Sequence, residues 1–208
     1  MSDHTPLGCE RLSLVTFRYF DFAGVSHDDG QVVVMDAVAP SVQRIFEKLY
    51  ERRFPIAKAT LLNAYDGDDS ASMADDNTSS FNDRPVTGGS RPSLHAYGAA
   101  IDLNPVQNPF IRRAGAGLSV DPPAGLDYIN RAPKRPGKPD HPGLAEAVID
   151  VFAQNGFIVW GGYWDEPLDY QHFDIGRSMV ETLAALPPEE ARKHFEQSVS
   201  TYSRLHRI

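Results

Sequence analysis

In the run Ser93-Leu94-His95-Ala96-Tyr97-Gly98-Ala99-Ala100-Ile101-Asp102, an imidazole and a carboxylate stand seven residues apart. A second imidazole follows in Asp169-Tyr170-Gln171-His172-Phe173-Asp174, three residues after a carboxylate and two before another. Neutral imidazole and anionic oxygen are the two ligand types left for a zinc ion when thiolates are absent, and a catalytic zinc site takes three protein ligands with one position open. His95 and Asp102 supply two such donors, His172 could be the third, and Asp169 could reach the water at the open position. Taken singly, each residue has a plainer reading. A His among Gly and Ala is commonly a hydrogen-bonded structural residue, an Asp before a turn is commonly a cap, and Asp169 alone would be a solvated side chain. Only the combination favours a metal.

Other constellations fit less well. The aspartate-rich stretch from Asp66 lacks the Gly at the sixth and Glu at the twelfth position of a calcium loop, having Ala71 and Asn77 there. Ser93, His95 and Asp102 contain the residue types of a serine triad, but no nucleophile elbow surrounds Ser93.

The chain that must position these groups has 208 residues, 41% hydrophobic and 23% charged, the profile of an ordinary soluble globular protein and an expected single domain. Its 20 Lys and Arg against 28 Asp and Glu give a net charge of −8, which weighs against nucleic acid as a partner. The one cysteine, Cys9, excludes an internal disulfide and a thiolate zinc cluster. The N-terminus carries Asp3 and Glu10 and has no basic region leading an apolar run, so it does not read as a signal peptide. No stretch has the length of a membrane span. The expectation is a monomer, cytoplasmic by default, with action on the cell wall after export or lysis.

Leu12 to Phe20 alternates, and Gln31 to Met35 is β-branched; both predict strands, separated by a turn-rich stretch from Gly24 to Gly30. Val42, Ile45, Phe46 and Leu49 have helical spacing behind Pro40, and Pro55 closes that helix. Ile56 to Leu62 reads as a strand. Residues 66 to 93 read as one long loop, and Pro105 to Pro142 as a second, holding eight of the sixteen prolines and six basic residues against three acidic ones. Leu144, Val148 and Phe152 mark a helix ending at Asn155-Gly156. Phe157 to Trp160 and His172 to Ile175 read as strands. Met179 to Leu186 suits one helix, and Pro187-Pro188 opens another. The class is α+β, with no regular strand-helix-strand rhythm.

The Ser-x-His-x-x-x-x-x-x-Asp pattern with Gly98 inside it, followed at a distance by Asp-x-x-His-Phe, resembles the zinc D-alanyl-D-alanine carboxypeptidase and L-alanyl-D-glutamate endopeptidase family, whose fold is shared with hedgehog. The segments FRYFDFAG, LYERRFPI, DDNTSSFNDR, AIDLNPVQNP and GGYW also look like its bacterial D-alanyl-D-alanine carboxypeptidase subfamily. The likeness covers roughly residues 14 to 176, leaving 177–208 as C-terminal helices. It implies a small, mainly antiparallel sheet flanked by helices, with long loops around a zinc site. It further implies one Zn²⁺ held by His95, Asp102 and His172, Asp169 as base, and Arg84 steadying the oxyanion. Where the family has Asn-Asn-Thr and Phe-Asn-Cys-Arg, this chain has Asp76-Asn77-Thr78 and Phe81-Asn82-Asp83-Arg84, and Asp83 beside Arg84 could weaken its positive field.

Ser93, Tyr97 and Trp164 are candidates to touch substrate, Asp174 to buttress the second His. The implied substrate is a peptidoglycan stem peptide or another D-amino-acid-containing peptide, cut either as a D,D-carboxypeptidase or as an L-alanyl-D-glutamate endopeptidase. Arg112, Arg113, Arg131, Lys134, Arg135 and Lys138 of the proline-rich stretch suit its carboxylates. The alternative is a non-catalytic zinc-containing binding module of the same fold.

Overall fold

The computed structural model describes residues 5–115 and 117–206; Asp3 lies outside them. The alternating face expected from Leu12 is strand β1 (Leu12–Phe20), with Val15, Phe17 and Tyr19 buried. Its antiparallel partner β2 (Ser26–Met35) starts five residues before the β-branched run, so most of the expected turn between Gly24 and Gly30 is strand. That part is polar because it is largely exposed, and its pairing is set by the turn: Asp21 Oδ1 accepts from the amides of Ala23 and Val25 at 2.9 Å. Helix α1 (Ala39–Glu51) buries Val42, Ile45, Phe46 and Leu49 against this hairpin, Phe46 stacking on Phe17 with ring centroids 3.6 Å apart.

Ile56 to Leu62 is not a strand. Ile56 and Ala59 are buried as a strand would bury them, but two buried amides take the place of a ladder. Asn77 brackets Thr60, accepting from its N–H at 2.7 Å and donating to its carbonyl at 2.9 Å. Asn104 accepts from Ala57 N at 3.1 Å and donates to Pro55 O at 2.8 Å. The loop expected over 66–93 contains a short helix, α2 (Asp69–Ala74), capped by Asp68, whose carboxylate accepts from Ala71 N at 3.0 Å. Six residues are too few for a visible helical period.

Strand β3 (Ala100–Asp102) begins a second sheet. The proline-rich stretch expected to be irregular holds a hairpin, β4 (Phe110–Ala114) and β5 (Gly117–Asp121), with a 3₁₀ turn at Pro123–Tyr128. Helix α3 (Ile149–Gln154) ends at Asn155 and leads into β6 (Val159–Trp160), β7 (Leu168–Asp169) and β8 (His172–Asp174). The strands divide among three small antiparallel sheets, ordered β1-β2, β3-β8-β6 and β5-β4-β7. Phe173 of the central β8 stacks on Phe152 of α3, ring centroids 3.9 Å apart, so the strand bearing His172 is anchored in the core. Helices α4 (Arg177–Ala185) and α5 (Pro188–Leu205) close the far side with Val180, Leu183, Ala191, Phe195 and Val199. No described helix is long and apolar enough to cross a membrane. The molecule is α+β.

Candidate metal centre and active-site cleft

His95 opens a single 3₁₀ turn ahead of β3, and Gly98 ends it at φ +62°. A Cβ on Gly98 would lie 2.6 Å from Met35 N, and the Gly98 carbonyl accepts from that amide at 2.8 Å. Only glycine allows this turn to press against β2, which explains its place between the His and the Asp. Asp102 and His172 are direct cross-strand partners on β3 and β8, so backbone register sets one beside the other.

The three buried side chains converge. His95 Nε2 is 3.2 Å from His172 Nδ1 and 3.3 Å from Asp102 Oδ2, and His172 Nδ1 is 3.2 Å from Asp102 Oδ1. The ring nitrogens facing away are engaged: His95 Nδ1 donates to the Ser80 carbonyl at 2.6 Å, and His172 Nε2 donates to Asp174 Oδ2 at 3.0 Å. In neutral rings those bonds place the protons outward and leave two bare lone pairs facing each other beside a carboxylate. Such a donor set needs a cation or a shared proton at its centre, and it fits a divalent metal taking imidazole and carboxylate. His95, Asp102 and His172 form the group whose ligand atoms lie within 4.8 Å of one another.

Without a metal, protons fill that need. Burial opposes charge on His172, but its bonds to Asp102 and Asp174 and the negative field around it push it well above 6.5. Burial likewise opposes ionisation of Asp102, and the two imidazoles outweigh it, holding the carboxyl far below the usual carboxylate range.

The site opens into a cleft of about 640 Å³. Asp169 lines it from β7, where it pairs across the ladder with Phe110. Burial, then the charge of Asp102, push its carboxyl up to about 7, against the lowering pull of the two histidines, and Oδ1 has no hydrogen-bond partner. Gly161, the first glycine of GGYW, is required here, since a Cβ on it would sit 2.5 Å from the Asp169 carbonyl oxygen. Arg84 lines the same cleft. Its partner is Asp69 of α2, at 3.0 Å from Nη2, and Asp69 also accepts from Asn82 Nδ2 at 3.0 Å. Asp83, which sequence adjacency made the expected modulator of Arg84, accepts from Thr5 Oγ1 at 2.7 Å.

Ser93 is buried on the cleft wall and its Oγ accepts from His95 N at 3.3 Å. Trp164 lies on the rim with its ring 5.5 Å from that of His172. Tyr97 does not line the cleft; it packs against the core under Arg177, 5.7 Å from Cζ to the ring. Of the basic residues in the proline-rich stretch, Arg112 and Arg113 reach the cleft, whereas Lys134, Arg135 and Lys138 do not. Arg131 is consumed structurally, bonding Glu146, Asn108 and the Gln107 carbonyl and lying over the Tyr170 ring. Ser80 and Asp69 escaped the sequence reading, because a backbone carbonyl and a remote helix leave no spacing signal. Asp174 had one: on a strand, residues two apart share a face.

Residues 87–175 match the model of a family described as D-alanyl-D-alanine carboxypeptidase. The match supports a peptidase. It contains His95, Asp102, Asp169 and His172, and Arg84 stands three residues before it. No curated protein and no solved structure matched.

Proposed function

We propose that the protein is a zinc-dependent peptidase that hydrolyses peptidoglycan stem peptides. The observation that carries this reading is the convergence of the inward-facing nitrogens of His95 and His172 with the Asp102 carboxylate, beside a cleft lined by both histidines, Asp169 and Arg84. His95, Asp102 and His172 would hold one Zn²⁺, which supplies Lewis-acid activation of a water and polarisation of the scissile carbonyl.

The remaining steps belong to the chain. Asp169 accepts the proton of the attacking water and returns it to the amine as the C–N bond breaks. Arg84, held by Asp69, donates to the oxygen on which negative charge develops. Trp164 supplies an apolar rim that keeps bulk water from the reacting bond. The sheets and loops around this cleft are read as the hedgehog and D,D-peptidase fold, in one peptidase domain over residues 1–208.

The test is metal analysis of the purified protein followed by mass spectrometry of products from a defined stem pentapeptide, with and without chelator. The expected result is one zinc per chain and a chelator-sensitive product, its mass separating loss of terminal D-Ala from cleavage after L-Ala. Asp169→Asn should keep the zinc and lose at least about 100-fold in kcat. A zinc-loaded parent that cuts no stem peptide would leave instead the non-catalytic zinc module.

A further inference from the structure

Five arginines line the cleft, and most are already committed. Arg84 is paired with Asp69, Arg113 with Glu166 at 3.6 Å, and Arg177 donates to the Pro92 carbonyl at 2.9 Å. Arg112 has no side-chain partner among the described residues, nor does Arg91 on the opposite loop. A guanidinium left unpaired at the edge of a cleft is available to a ligand, and the group it recognises best is a planar anion, a carboxylate above all.

Register gives Arg112 a definite place relative to the reacting groups. Phe110 of β4 is directly opposite Asp169 of β7, so their side chains share one face of the β5-β4-β7 sheet. Arg112 is two residues further along β4 and so lies on that same face, while Ile111 between them turns inward and is buried. Asp169 and Phe110 therefore stand side by side across the ladder, and Arg112 lies diagonal to Asp169, one cross-strand step over and two strand positions along. Two residues of strand advance about 7 Å, which is also the advance of two residues of an extended peptide lying alongside.

We infer that Arg112 is a specificity-determining residue of the cleft, binding a substrate carboxylate about two residues from the bond served by Asp169. The inference rests on the peptidase reading for its substrate and on the β4–β7 register for its geometry. The carboxylate can be an acidic side chain of the peptide or its chain terminus; both offer the same planar anion. Phe110, beside Asp169 across the ladder and two positions before Arg112, gives the intervening stretch of peptide an apolar floor. The hairpin β4–β5 thereby acquires a purpose that its proline-rich, basic sequence only suggested: it carries one charge to a fixed distance from the centre.

The experiment is calorimetric titration of the zinc-loaded protein in an Asp169→Asn background, so that bound peptide is not consumed. Four probes separate the two carboxylate sources: a stem pentapeptide, its counterpart with Gln for Glu, and the C-terminal amides of both. The expected result is five- to tenfold tighter binding of the peptide that keeps the recognised carboxylate, about the value of one charge-assisted contact at an exposed cleft edge. Arg112→Gln should bring that ratio to about one without weakening the neutral peptide, whereas Lys134→Gln and Arg91→Gln should leave it unchanged. The inference is overturned if Arg112→Gln keeps the discrimination, if Arg91→Gln removes it instead, or if none of the four peptides binds. Discrimination through Arg112 together with failure of the Asp169 parent to cleave any probe would refute the peptidase reading and leave Arg112 as a carboxylate-binding residue.

Discussion

The two histidines of the centre are distinguished by what holds their outer nitrogens. His95 leans on a backbone carbonyl, which cannot change its charge, whereas His172 leans on Asp174 and faces Asp102, two carboxylates that favour its protonated form. With its titration raised well above 6.5, His172 binds a proton at neutral pH in the metal-free protein, and a metal ion must displace that proton. Zinc affinity should therefore climb by about one decade per pH unit through neutrality, and level off once His172 is deprotonated. Zinc titrations at several pH values check this, as does the buffer dependence of the binding enthalpy, which should report release of at least one proton, Asp169 adding to it near neutrality. A pH-independent affinity between pH 6.5 and 7.5 would contradict the assignment of Nδ1 as a ligand. Aspartates were legible by type but not by partner: the carboxylate that pairs with Arg84 at 3.0 Å comes from Asp69, fifteen positions earlier.

Helices with three or more core positions, such as α1 and α5, declare themselves by period, as does the nine-residue alternation of β1. Elements of two to six residues do not, and they are the ones that line the cleft: β4, β6, β7 and β8. The segment from Ile56 shows why apolar content misleads. Its core residues need burial, which a strand would supply, but Asn77 and Asn104 satisfy its backbone at lower cost in chain length. Asn104 sits at φ +44° and also donates toward Gly143, so it joins three segments. Asn104→Ala should lower unfolding free energy by about 1–3 kcal/mol for the buried groups it orphans, read from the midpoint of denaturant unfolding. Because Asn104 follows Asp102 by two residues, the same variant should also weaken zinc affinity; an unchanged midpoint would show that water replaces the amide.

Across the molecule, the N-terminal segment is tied to the C-terminal helices by a buried charge. Arg11 pairs with Asp36 at 3.0 Å and donates to the carbonyls of Leu183 and Leu186 at 3.2 and 3.1 Å, satisfying the end of α4. Arg11→Ala should destabilise by about 3–5 kcal/mol, because it strands the Asp36 charge and two carbonyls in the interior. Adding Asp36→Asn should recover part of that loss in thermal or chemical unfolding; strict additivity of the two changes would show that the pair is not coupled. Charge is likewise distributed rather than uniform. The net −8 of the chain coexists with five arginines around one cleft, so the whole-chain value says little about the surface a ligand meets.

The donor types were legible in the chain: with a single cysteine, a metal here would have to rely on imidazole and carboxylate, and the fold brings His95, Asp102 and His172 together. The helices with full periods and the first strand were equally legible, since a repeating pattern needs no partner to be recognised. The tertiary structure alone decided which nitrogen of each histidine faces inward, which carboxylate holds Arg84, and which of six basic residues reaches the cleft. Those are properties of register and of contacts between segments tens of residues apart. Such contacts are chosen by packing and hydrogen-bond satisfaction over the folded whole, and no local period records them.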